Sequence, residues 1–234
     1  MTDIQNNLVQ VKKKICQCCE KSFRGENEVR LLAVSKTKPV EDIIVAYNSG
    51  QLAFGENYVQ EGIEKIRYFE NQHIHLEWHF IGPLQSNKTR LVAENFDWIQ
   101  TVDRIKIADR LNEQRPHFKL PLNVLIQINI SNEQSKSGIH PSEMLGLAKH
   151  IGNLPHLKLR GLMAIPEPTE DITQQELAFA KMNDLFTQLR EAFPQLQIDT
   201  LSMGMTDDMS SAIKHGSTMV RIGTAIFGRR DYSN

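Results

Sequence analysis

Eight short runs of β-branched and apolar residues, each followed by a longer amphipathic stretch, limit what this chain of 234 residues can fold into. The runs fall at 30–35, 52–55, 77–81, 98–102, 122–130, 158–164, 198–203 and 218–222. Helical patterns lie between or after them at 40–49, 57–70, 86–94, 104–114, 141–152, 174–192 and 206–215, and a further one over 2–22 precedes the first strand. This alternation predicts a parallel sheet, because parallel neighbours need a long crossover and a helix supplies it. Eight units in this length fit a (β/α)8 TIM barrel with an extra N-terminal helix. No Pro/Gly/Ser-rich linker divides the chain, so 1–234 reads as one domain. An open doubly wound sheet is the alternative, but the dinucleotide fingerprint that would favour it is absent.

Local signals place several helices. In 174–192, Ala178, Met182, Leu185 and Leu189 form an apolar stripe at helical spacing. Pro141 after His140 suits a first helical turn. Thr206 is expected to cap 206–215, with Asp207 and Asp208 in its acid-favouring first turn and His215-Gly216 ending it.

Composition removes other classes. Lys+Arg 27 against Asp+Glu 28 gives a net charge of −1, without the basic excess of a dedicated nucleic-acid binder. The longest apolar runs, such as Leu31-Leu32-Ala33-Val34, are far short of the roughly 18 residues of a membrane span. The first residues lack a signal-peptide pattern. Cys16, Cys18 and Cys19 crowd one segment, and no second Cys/His cluster completes a zinc site. Reduced thiols in the cytoplasm are the expectation.

In a parallel barrel, chemistry collects where strands run into the following loops. The first strand ends Ser35-Lys36-Thr37-Lys38. Burial at Lys36 would lower its pKa and expose a nucleophilic amine, helped by Lys38 if the chain stays extended. Two solvated lysines are the plainer reading of that spacing. The seventh and eighth strands end Ser202-Met203-Gly204 and Arg221-Ile222-Gly223-Thr224. A Gly-Thr turn entering a short helix offers N–H groups and a hydroxyl to a phosphate, and Ser202 would add another hydroxyl. Asn57 and Tyr58 follow the second strand, where Asn57 could equally cap a helix. His79 lies within the third strand and reads as a bonded core residue. Gln85, Asn87 and Lys88 follow it and could reach a ligand or simply open a helix. Met163 reads as barrel packing that could also pad a flat ring, and one of Gln127 and Asn129 could reach the site.

Six segments carry a resemblance. AVSKTKP (33–39), FGENYVQE (54–61), WHFIGPLQSNK (78–88), RGLMAI (160–165), LSMGM (201–205) and VRIGTAIFG (220–228) resemble, in order and across nearly the whole chain, the pyridoxal 5′-phosphate homeostasis protein family. That family is similar to the barrel domain of alanine racemases. The resemblance implies that Lys36 forms a Schiff base with pyridoxal 5′-phosphate (PLP). It implies that Ser202, Gly223 and Thr224, with backbone help near Met203 and Gly204, hold the phosphate. Arg221 would face the pyridine nitrogen, with Asn57 beside the ring. Thr206 stands where many members have serine.

The resemblance leaves catalysis to be argued. An arginine cannot accept the pyridine proton, which weakens the ring as an electron sink. A two-base racemase also needs a second acid/base. Alanine racemases take it from a C-terminal β domain, which this chain, ending at Asn234, is expected to lack. Tyr58 and His79 have no spacing that argues for the role. The expectation is a monomeric, non-catalytic PLP carrier with no catalytic or metal site, binding neither nucleic acid nor membrane, with PLP-dependent apoenzymes as recipients. A PLP-dependent racemase of narrow specificity is the alternative, and an aldolase-like barrel using Lys36 without a cofactor is a third.

Overall fold

The computed structural model describes residues 3–132, 134 and 137–230. Its strands are Arg30–Val34 (β1), Ala53–Glu56 (β2), Glu77–Phe80 (β3), Trp98–Val102 (β4), Leu122–Gln127 (β5), Leu157–Met163 (β6), Thr200–Ser202 (β7) and Met219–Ile222 (β8). Each pairs in parallel with the next, and β8 pairs with β1 through Leu32↔Arg221, so the sheet closes in sequence order. The fold is the expected (β/α)8 barrel, and the open-sheet alternative is excluded. The helices are Asp3–Lys21 (α1), Val40–Asn48 (α2), Val59–Asn71 (α3), Thr89–Asn95 (α4), Ile105–Gln114 (α5), Met144–Gly152 (α6), Ile172–Ala192 (α7), Met209–Lys214 (α8) and Thr224–Phe227 (α9). Residue 2, where the first helix was expected to begin, lies outside the described residues. No described helix is long and apolar enough to cross a membrane.

Barrel strands are covered on both faces, so they build two cores. Outward side chains such as Phe54, Phe80 and Ile99 join the helices in one large cluster. Inward residues form two smaller ones. Leu32, Val34, Ala53, Ile81 and Met219 pack together, as do Trp98, Leu125 and Met163. His79, Gln100, Ser202 and Arg221 are also buried inside the barrel, where Gln100 on β4 bonds Ser202 on β7.

Element ends differ from expectation for local reasons. β5 stops at Gln127 because Ile128 bridges Ile139, and Ile139 N–H donates to Gln127 O. β7 begins at Thr200 because Ile198 N–H turns back to Leu196 O. α7 starts two residues early, because the Asp171 carboxylate accepts from the N–H groups of Thr173 and Gln174. Its buried stripe is Phe179, Met182, Phe186 and Leu189, with Ala178 and Leu185 half-buried beside it. The two aromatic rings take the barrel-facing positions because they bury the most apolar surface. Pro141 opens a 3-10 turn, Pro141–Glu143, ahead of α6, and His140 Nδ1 accepts from Ser142 N–H. Thr206 does not cap α8. The Asp208 carboxylate accepts from Met205 N–H at 2.6 Å, which folds 205–208 into a loop and delays the helix to Met209.

Candidate functional site

Lys36 follows β1 on the inward-facing register of Leu32 and Val34. Its flanks are clamped. Ser35 Oγ donates to Glu56 Oε1 at 2.7 Å, and Lys65 Nζ donates to Ser35 O at 2.7 Å. The same ammonium reaches Glu56 Oε1 at 2.7 Å and Glu61 Oε1 at 2.8 Å. Glu61 Oε1 also accepts from Thr37 N–H at 2.6 Å, with Thr37 at φ 64°, a strained conformation for a β-branched residue. Burial, then the nearby Arg230 cation, lowers the Lys36 pKa, while Glu56 and Glu61 pull the other way. A larger share of unprotonated, nucleophilic amine results. Lys38 is not the neighbouring cation. The left-handed turn at Thr37 breaks the extended geometry, and Lys38 Nζ donates to Arg229 O instead.

Lys36, Asn57, Gly204, Arg221, Gly223 and Thr224 line one cavity of about 1620 Å³. This exceeds the roughly 300–1,000 Å³ of most small-molecule sites, so a cofactor-sized ligand fits with room to spare. The capping alternative for Asn57 fails, since Tyr58 occupies the N-cap position of α3. Asn57 Oδ1 is buried in the cavity wall without a hydrogen-bond partner. Gly204 has φ +105°, and a Cβ there would stand 2.7 Å from Ala212 Cβ. At Gly223 a Cβ would come within 3.2 Å of Val34 O. The two glycines keep the loops after β7 and β8 close to the end of β1.

Three expected site residues do not reach that wall. The Ser202 hydroxyl donates to Gln100 Oε1 at 2.7 Å and accepts from Arg221 Nη1 at 2.7 Å. It is held within the barrel by these two partners and does not line the cavity. Met203 is fully buried against the helices, its N–H bound to Met219 O and its carbonyl to Ser217 Oγ, so its backbone is committed to the barrel. Met163 packs on Trp98 and Leu125. Gln85, Asn87 and Lys88 lie by the 3-10 turn Ser86–Lys88 and do not line the cavity. Gln127 is buried away from the wall, with Oε1 unpartnered.

Sequence reasoning missed the Glu56–Lys65–Glu61 clamp and Gln100. The signals were present: a carboxylate inside the Ala53–Glu56 run, a Glu61/Lys65 pair at i,i+4, and an amide within the Trp98–Val102 run.

Comparison with known proteins fits this geometry. The family model described as alanine racemase, N-terminal domain, matches residues 7–231. A pyridoxal phosphate homeostasis protein of Haemophilus influenzae is 72% identical over 231 residues, covering 99% of this chain and 98% of that one. That of Pasteurella multocida is 71% identical over 230 residues, covering 98% and 99%. The structure of PipY of Synechococcus elongatus with PLP bound superposes with a TM-score of 0.84 at 32% identity, covering 96% of this chain and 100% of PipY. Similarity of this extent leaves no segment of the barrel unaccounted for, and the chain belongs to the alanine racemase N-terminal domain family, among its pyridoxal phosphate homeostasis proteins.

Proposed function

We propose that this protein binds PLP covalently through Lys36 and serves PLP homeostasis as a carrier without amino-acid turnover. The observation that carries the reading is the convergence of a pKa-lowered lysine and two glycine-shaped loops on one cavity. It is supported by a similar chain, PipY, whose structure holds PLP. When bound, PLP supplies an aldehyde that condenses with amines and a ring that withdraws electrons.

The residues fit that group. Asn57 Oδ1, buried and unpartnered, gains a donor partner only from a ligand or water. Gly204, Gly223 and Thr224 offer the phosphate a cradle in which the first N–H groups of α9 have no acceptor within the helix. Arg221, its pKa brought to about 10 by burial, stays charged at neutral pH and donates toward a pyridine nitrogen rather than protonating it.

The reading without turnover is supported by where the two side chains considered for a second acid/base lie. His79 has one ring nitrogen on Glu77 and the other on Gln100 and is fully buried, so it holds no proton at the cavity. Tyr58 is 52% exposed at the start of α3. Neither is placed as the second acid/base of a racemase. We further read 1–234 as one PLP-binding domain, monomeric and cytoplasmic, with three free thiols and with PLP-dependent apoenzymes as recipients.

Purified protein mixed with PLP should show the visible absorption band of a lysine-linked coenzyme. Borohydride followed by peptide mapping should place the label on Lys36, and Lys36→Ala should abolish it. A label on another lysine overturns the assignment. Exchange of amino-acid α-hydrogen with deuterated solvent at an enzymatic rate would overturn the carrier reading.

A further inference from the structure

We propose that His79 and Gln100 are positioning residues for Arg221: with Ser202 and Glu77 they form a one-way hydrogen-bond chain through the barrel that fixes the guanidinium at the cavity. The proposal rests on Arg221 facing the bound coenzyme, and it adds two residues that touch no ligand.

The chain runs from the C-terminal ends of the strands toward their N-terminal ends. Arg221 Nη1 donates to Ser202 Oγ at 2.7 Å, and its Nη2 donates to Ala164 O at 2.9 Å. Ser202 Oγ donates to Gln100 Oε1 at 2.7 Å. Gln100 Nε2 lies 2.9 Å from His79 Nδ1 and 3.3 Å from Met219 Sδ. His79 Nε2 lies 2.7 Å from Glu77 Oε1, which also accepts from Arg30 Nη2 at 2.8 Å. His79, Gln100 and Ser202 are wholly buried and Arg221 is 4% exposed.

The two ends dictate the direction. A guanidinium only donates and a carboxylate only accepts. Ser202 therefore accepts from Arg221 and must give its own proton to Gln100 Oε1. Gln100 then turns its amide nitrogen to His79, and Nδ1 accepts. The ring proton sits on Nε2, facing Glu77. A charged imidazole would present N–H at both nitrogens and break the link to Gln100. Burial lowers the His79 pKa and keeps the ring neutral. Its plane is held by stacking on Trp98, with ring centroids 4.9 Å apart and planes 13° from parallel, and Arg160 lies over the same indole.

A barrel interior needs only apolar layers to be stable, and this one has them in the Leu32 and Trp98 clusters. Threading polar groups between those layers costs desolvation unless every member is partnered, as each is here. An apolar layer could not do what this chain does, which is to orient a cation on a long flexible stem from below.

Two measurements test it. In protein without coenzyme, 15N NMR should show separate, slowly exchanging Nη signals for Arg221. These should average in Gln100→Leu, and in Ser202→Ala, which breaks the chain by removing one oxygen. With PLP, Gln100→Leu should weaken binding by roughly tenfold, the scale of one charge-assisted hydrogen bond. It should also move the absorption maximum of the bound coenzyme in the direction that Arg221→Lys moves it, and change neither quantity in an Arg221→Lys background. Leu122→Ala, a buried truncation in the outer core and off the chain, should lower the melting temperature and leave the spectrum alone. Separate Nη signals with unchanged affinity and spectrum in both chain variants would overturn the proposal, as would Gln100→Leu behaving like Leu122→Ala. Wild-type protein that takes up no PLP would sink the cofactor reading, and the NMR arm would still decide the chain.

Discussion

Lys65 is the residue on which the surroundings of Lys36 turn. Its buried ammonium holds Glu56, Glu61 and the Ser35 carbonyl together. Removing one partner of a buried ion pair strands the other, at about 3–5 kcal/mol. Lys65→Ala should therefore unfold at markedly lower urea, and adding Glu56→Gln should recover part of the loss. Glu56 also carries a pH signature. Burial raises its pKa to about 7, against the pull of Lys65 and Ser35, whereas the unfolded value is about 4.3. Between those values the folded state holds a proton that the unfolded state has released, so this contribution is full below about pH 4 and is lost as pH rises through 7. Wild-type stability measured relative to Glu56→Gln should fall between pH 5 and 8, and a flat difference would contradict the assignment.

At the scale of elements, the loop from β7 to α8 is shaped by one glycine and one carboxylate. A side chain at Gly204 is strained by its φ of +105° and would press on Ala212 of α8. Gly204→Ala should weaken PLP binding measured by fluorescence titration more than it lowers the melting temperature, because the loop can yield while the cradle cannot. The expected cap Thr206 and the loop-holding Asp208 separate cleanly. Thr206→Ala should change stability by less than about 0.5 kcal/mol, because its half-buried hydroxyl does not cap α8. Asp208→Ala, which frees Met205 N–H, should cost about 1 kcal/mol in denaturant unfolding, the net worth of one hydrogen bond. Helix α1 and the segment after it work differently: Asn7 Nδ2 in α1 donates to Ile226 O of α9, and Arg24 Nη1, beyond the helix, donates to Ile213 O of α8 and to Ser217 O.

At the scale of the molecule, a ligand that binds only the folded barrel stabilises all of it. At a PLP concentration 100 times the dissociation constant the gain is about 2.7 kcal/mol. For a chain of this size that raises the melting temperature by about 5–10 °C. Scanning calorimetry should show the shift in wild type and a much smaller one in Lys36→Ala, which keeps only the non-covalent contacts.

The alternation of strands and helices was legible in the sequence because both periodicities are local, and barrel closure followed from their number. Element ends were less legible where a side chain competed with the backbone, as at Asp171 and Asp208, or where a distant backbone segment paired with it, as at Ile139. Lys36, Asn57, Gly204, Gly223 and Thr224 could be picked out because they sit at strand ends, which is a statement about chain position. The observed partners of Ser202 were not legible for the complementary reason. Its hydroxyl is within reach of Gln100, about a hundred residues away in the chain, only once the barrel has closed. The sequence by itself determined the layers and which residues stand at the mouth. The tertiary structure alone decided which polar groups meet inside, because hydrogen bonds across a barrel join strands that no sequence spacing relates.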